Sequence, residues 1–174
     1  MTGFQSKKAM ANSRSGEMNN KIETLANGDF RVVPLDDVEF LEFNAKRNGM
    51  DIVMDNGMKK AIRDGRVAVL YSPGFGAGWS TWNSIREGGD ALLFDPSIVY
   101  MVEEMNKLDS EDSRRMDWVN NIMDYCRKTY PECYCGGVDD LVVEWIPQGT
   151  MFKIHEYDGS ENIEYKENDY WKVA

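Results

Sequence analysis

The 174-residue chain has little of what most catalytic and metal sites are built from: one histidine and three cysteines. Any relay from a nucleophile through an imidazole would have to use His155. In the run Met151 to Tyr157 that residue alternates opposite Phe152 and Ile154, a strand position that faces solvent. No G-x-S-x-G elbow, H-E-x-x-H pair or paired-carboxylate signature is present, so no catalytic residue is assigned. The cysteines, Cys126, Cys133 and Cys135, run C-x6-C-x-C, unlike the C-x2-C pairs of zinc fingers and ribbons. Cys126 falls on the apolar face of an expected helix, where a thiol is packing material. No metal ligand set and no cofactor are therefore expected, and an odd number of thiols argues against a secreted disulfide framework.

Two further absences bound the setting. No apolar run approaches the ~18 residues that would span a bilayer, and MTGFQSKKAMANSRSGEMNN lacks the apolar stretch of a secretory signal. The expectation is a cytoplasmic protein with no membrane partner. Basic residues are also in deficit, 20 against 30 acids, and the formal charge of −10 repels phosphate backbones, so direct nucleic-acid binding is not expected. The excess acid is concentrated. From Val138 to Ala174 there are nine acids against only Lys153, Lys166 and Lys172; Glu144 is expected among Val142, Val143 and Trp145, and Glu156, Asp158, Glu161 and Glu164 at exposed positions or turns.

What is present points to one α+β domain, residues 29–174, with an N-terminal helical arm over 1–28. Residues 4 to 26 read helical through Met18, Ile22 and Leu25, with Asn27-Gly28 as a stop. A short strand is expected at Phe30 to Val33, a helix or extended piece at Val38 to Asn44, and a helix at Asn56 to Arg63. Arg66 to Tyr71 (RVAVLY) is the clearest strand, apolar enough to be buried on both faces. Asp95-Pro96 starts a helix whose apolar face is Ile98, Met101, Val102 and Met105. A second runs from about Ser110 to Arg127 along Met116, Val119, Met123 and Cys126, and short connections make the two antiparallel neighbours. Leu141 to Ile146, Met151 to Tyr157, Asn162 to Lys166 and Tyr170 to Val173 are β-type runs separated by turn sequences, so a mixed or antiparallel sheet with a C-terminal β-meander is expected.

Between the RVAVLY strand and the Asp95 helix lies SPGFGAGWSTWN. Its glycines at 74, 76 and 78 permit positive φ and leave amides unshielded, so that N–H groups can converge on an anion. The candidate ligand-binding residues are Ser72, Gly74, Gly76, Gly78, Ser80, Thr81 and Asn83 as donors, Trp79 as a stacking surface, and Arg86 one turn further on. The G-x-G-x-G spacing is neither the dinucleotide fingerprint nor the P-loop. A tight structural turn packed beneath core tryptophans is the competing reading.

The combination VAVLYSPGFGAGWSTWN, LLFDPSIVYMVE and YPECYCGGVDDLVVEWIPQGTMFKIHEYDGSENIE resembles a family of uncharacterised small proteins of tailed bacteriophages and prophages, over residues 66–174. The resemblance implies a setting rather than a mechanism: an accessory protein that counters host defence or redirects host machinery inside an infected bacterium. The function expected on this basis is binding without catalysis, through sequestration of a small phosphate-bearing, nucleotide-type ligand at the glycine-rich loop. The alternatives are an acidic inhibitor that engages a host enzyme, including one that grips nucleic acid, and a small-molecule hydrolase. The 11 methionines fit adaptable contact surfaces and ordinary core filling equally, and a homo-oligomer is left open.

Overall fold

The computed structural model describes residues 20–24, 30–34, 36–83 and 89–166. The architecture is α+β. Strands β1 (Asn20–Thr24) and β2 (Phe30–Pro34) form an antiparallel pair. Helix α1 (Asp37–Arg47) leads into β3 (Asp51–Asp55), β4 (Met58–Arg63) and β5 (Arg66–Tyr71). The short α2 (Gly89–Leu92) precedes α3 (Pro96–Met105) and α4 (Arg114–Thr129). A single 3-10 turn at Val138–Asp140 precedes β6 (Val142–Pro147), β7 (Phe152–Tyr157) and β8 (Ser160–Tyr165). The central sheet has the order β3-β4-β5-β6, antiparallel throughout, and β7-β8 is a separate hairpin.

Two-residue turns set the strand registers. Asn56-Gly57, Asp64-Gly65 and Asp158-Gly159 each place both residues at positive φ, between 50° and 79°, as type I′ hairpin turns require. The first two fold β3, β4 and β5 into a meander. This corrects the helix expected at Asn56 to Arg63. MKKAIR is rich in helix formers, but turns at both ends and pairing on both sides outweigh that small propensity. A second correction concerns the N-terminal helix: Asn20–Thr24 is a strand whose Ile22 pairs with Val32, across the expected arm boundary. The remainder of that helix lies outside the described residues, as does the expected strand at Tyr170 to Val173.

Helix α3 is the centre of the core. Every residue from Pro96 to Val102 is buried, together with Met105, because the helix packs against α1, α4 and one face of the central sheet at once. Ala61, Ala68 and Leu70 supply the sheet side, and small alanines let the helix approach closely. Asp95 caps it as expected, accepting from the amides of Ser97 (2.8 Å) and Ile98 (3.1 Å). Its other oxygen accepts from the hydroxyls of Tyr125 (3.0 Å) and Tyr130 (2.7 Å), which ties the start of α3 to the end of α4. Burial pushes the Asp95 carboxyl up from its ordinary value, and those four bonds hold it back down. In α4 the buried residues are Val119, Ile122, Tyr125 and Cys126, so its inward face is turned from the expected one and Met116 is exposed.

β5 is buried through Ala68, Val69 and Leu70, on both faces as its composition predicts. β6 pairs with it along the full strand, from Arg66↔Pro147 to Tyr71↔Val142. The C-terminal hairpin connects to this sheet through Glu144, which accepts from Tyr71 and Tyr165. The bond to Glu144 pushes the Tyr165 phenol up to about 12.

The glycine turns give a paired prediction. At Gly57 an added Cβ meets nothing within 4 Å, so Gly57→Ala costs only the positive-φ strain, about 1 kcal/mol. At Gly159 the same Cβ lies 2.7 Å from the Gly76 backbone, so Gly159→Ala adds a steric clash and costs on the order of 3 kcal/mol. Chemical denaturation of the two variants measures the difference.

Candidate functional site

The loop from Ser72 to Asn83 does gather backbone amides and hydroxyls around an anion, and the anion belongs to the protein. The Glu161 side chain, on β8 just past the Asp158-Gly159 turn, is 1% exposed. Its Oε1 accepts from the Ser80 amide (2.7 Å), the Ser80 hydroxyl (3.0 Å), the Thr81 amide (2.7 Å) and the Thr81 hydroxyl (2.9 Å). Its Oε2 accepts from the Ser72 amide (3.0 Å), and the Glu161 amide returns a bond to the Ser72 carbonyl (2.9 Å). An ionised carboxyl is acceptor-only, so this convergence of donors suits it as it would suit a phosphate.

Two glycine amides of the loop are engaged as well. Gly76 N–H donates to the Asp158 carbonyl and Gly78 N–H to the Gly159 carbonyl, both at 2.7 Å. The Ser160 hydroxyl donates to the Pro73 carbonyl at 2.8 Å. The loop therefore clasps the β7-β8 turn. Gly76 and Gly78 take positive φ, and a side chain at Gly78 would overlap the Trp82 ring, while one at Gly74 would overlap Asp140. The bare main chain seen in the sequence is approached by the protein's own groups.

The other expected site residues divide. Trp79 is fully buried in the core cluster and presents no stacking face to solvent. Asn83 is buried too; its Nδ2 donates to the carbonyls of Trp79 (2.6 Å) and Tyr134 (2.8 Å), and its Oδ1 accepts from the Tyr134 amide (2.7 Å). Asn83 thus fastens the loop to the cysteine-bearing segment after α4. Arg86 lies outside the described residues. Glu161, expected in a solvated position, is the residue that organises the site, and Tyr134, Asp140 and Gly159 were not anticipated there. The only available signal was complementarity: a donor-rich loop needing an anion, and a surplus of acids.

Around this fixed backbone, large aromatic rings stand in water. Phe75, the residue before Gly76, is 78% exposed, and Tyr157, the residue before Asp158, is 74% exposed. Trp82 is 39% exposed, and its ring lies 5.2 Å from that of Tyr134, whose hydroxyl reaches the Gly76 carbonyl at 3.4 Å. Asp140, against Gly74, and Asp158, next to Tyr157, are exposed beside them. His155 faces solvent, as its alternation predicts.

An open hollow of about 700 Å³ lies elsewhere, lined by Arg63, Glu103 and Trp145 among others, and it includes none of the loop residues. Its charges are used internally: Arg63 makes two 2.9 Å bonds to Glu103 and lies 4.4 Å from the centre of the Trp145 ring.

The three cysteines, of which Cys126 was expected as packing material, come together. Their sulfurs all lie within 4.8 Å of one another, and those of Cys133 and Cys135 are 3.4 Å apart. Hydrogen bonds from Cys126 and Cys133, with the charge of Arg127, draw the Cys135 thiol down to about 6, against the opposing effect of burial. The Cys133 thiol is raised to about 11, chiefly by burial, and that of Cys126 is raised most, chiefly because it donates to Cys135.

The occupied anion nest makes a strong stability prediction. Glu161→Ala leaves the amides of Ser72 and Ser80 buried without an acceptor and should cost on the order of 4 kcal/mol. Glu161→Gln keeps one acceptor oxygen but turns N–H donors toward the Ser72 amide, and should cost about half as much. Thermal and denaturant unfolding of both variants provides the check.

Comparison with protein-family models, with curated proteins and with solved structures finds no match to the chain.

Proposed function

We propose that the protein acts by binding another protein, through the aromatic and acidic surface built on the clasped loop. The observation that carries this reading is the exposure of Phe75 and Tyr157 on backbone that is fixed from both sides. Burying a large apolar side chain is worth about 1.5–3 kcal/mol, and this fold leaves that gain unrealised at two rings carried on ordered backbone. Aromatic residues on a pre-ordered backbone are what tight protein contacts use as anchors, since little entropy remains to be lost on docking. Asp140 and Asp158 add negative charge around the rings, which suits a partner with a basic surface.

The resemblance to phage and prophage proteins supplies the setting, an infected bacterium in which the partner is a host protein. Binding of this kind needs no catalytic group. Sequestration of a phosphate-bearing ligand by the loop amides would require expulsion of Glu161 from a buried position where it accepts five hydrogen bonds. The protein-contact reading leaves that arrangement intact.

The test is affinity capture from infected cells with the wild-type chain and with Phe75→Ala/Tyr157→Ala. Both rings are exposed, so the double variant should keep the wild-type melting temperature within about 2 °C. A specific partner held by the wild type, released by moderate salt and lost at least ~100-fold in affinity by the double variant is the expected result. Equal capture by the two chains contradicts the proposal. So does a rise in melting temperature with nucleotides, which would return attention to a small ligand.

A further inference from the structure

Cys126 sits in the last turns of α4 with its side chain fully buried, and Cys133 and Cys135 lie half-buried on the segment that leaves the helix. That segment is fixed by groups other than the thiols. The Cys133 amide donates to the Tyr130 carbonyl at 2.9 Å, the Tyr130 hydroxyl is held by Asp95, and the Tyr134 backbone is gripped on both its polar groups by Asn83. The backbone thus brings three free thiols to one point with no disulfide among them.

We propose that Cys126, Cys133 and Cys135 form a trithiolate site for a thiophilic d10 cation, Zn(II) or Cu(I). A metal about 2.3 Å from each of three sulfurs sets them roughly 3.8–4.0 Å apart. The observed separations, from 3.4 Å to no more than 4.8 Å, bracket that value, so small side-chain rotations suffice. The donor set selects the metal. It is all sulfur, and thiolates favour Zn(II) and Cu(I) over the hard cations that prefer oxygen. The chain's single imidazole, His155, is on β7 and is not a member of the cluster. The neighbouring Asp95 carboxylate already accepts from two amides and two tyrosines. The site is therefore three-coordinate for Cu(I), or three-coordinate plus water for Zn(II).

Binding releases protons to solvent from those thiols that still carry them, and no oxidant or reductant is involved. The two half-buried sulfurs give the ion a way in. The residue between them, Tyr134, packs against Trp82, so an occupied site would also stiffen one side of the exposed aromatic surface. The proposal stands independently of the protein-contact function, because it rests on the sulfur geometry alone.

The experiment uses the full chain, purified reduced and metal-free under anaerobic conditions. It is titrated with Zn(II) against a chromophoric chelator, with Cu(I) against a Cu(I)-specific chelator, and with Cd(II) as a spectroscopic probe. The expected result is one metal per chain, a Cd–thiolate charge-transfer band, and at least ~10-fold slower alkylation of Cys133 and Cys135 when metal is bound. Relative competition in the two chelator arms decides which of the two cations is preferred. Cys133→Ser/Cys135→Ser avoids the buried Cys126 and should stay folded, yet lose the band and the stoichiometric binding. Absence of binding in every arm overturns the proposal, as does an equal band in the double variant.

Discussion

The internal carboxylate of Glu161 is the contact on which the C-terminal half of the structure depends. It joins both ends of one loop, Ser72 at the end of β5 and the Ser80-Thr81 turn, to the start of β8, more than 75 positions away in sequence. An unpaired carboxyl buried at this point would be strongly unfavourable, and so would the unpaired amides facing it. Each is acceptable only because of the other. This mutual requirement explains why the loop closes on the β7-β8 turn and not on solvent.

From that contact the remaining features follow in order. Gly76 and Gly78 adopt positive φ so that their amides can reach the Asp158 and Gly159 carbonyls, and Gly159 has no side chain because the Gly76 backbone passes directly over it. Asn83 then carries the order onward to the segment holding Tyr134 and the cysteines. Asp95 performs a similar service on the helical side, linking α3, α4 and Tyr130. Two buried acids thus anchor the Ser72–Thr81 loop and the helical segment from Asp95 to Tyr130. The exposed rings of Phe75 and Tyr157 sit on backbone adjoining the first of these anchors, which is why they are presented rather than folded away.

Much of the fold was legible in the sequence because local signals and burial agreed there. RVAVLY is a strand at the expected bounds, and Asp95-Pro96 caps a helix whose expected apolar residues are all buried. Agreement failed where two signals competed. Met58–Arg63 has helix-favouring residues between two hairpin turns, and the turns prevailed through cross-strand pairing. Asn20–Thr24 holds only Ile22 of the Met18, Ile22 and Leu25 spacing that reads helical, and it pairs with Phe30–Pro34 instead. At the loop, the chemistry of an anion nest was readable from Gly, Ser and Thr, but the identity of the anion was not. Glu161 is separated from Ser80 by 81 positions, and nothing in its neighbours distinguishes it from the solvated acids around it. The cysteine cluster escaped for the same reason, since C-x6-C-x-C converges only through the end of α4 and the pinned segment after it.

Amide hydrogen exchange tests the central claim most directly. If Glu161 and the β7-β8 turn occupy the loop, the amides of Gly76, Gly78, Ser80 and Thr81 in the free protein should exchange as slowly as those of buried β5. Rapid exchange of these four amides, with protection arising only after a phosphate-bearing compound is added, would contradict the account.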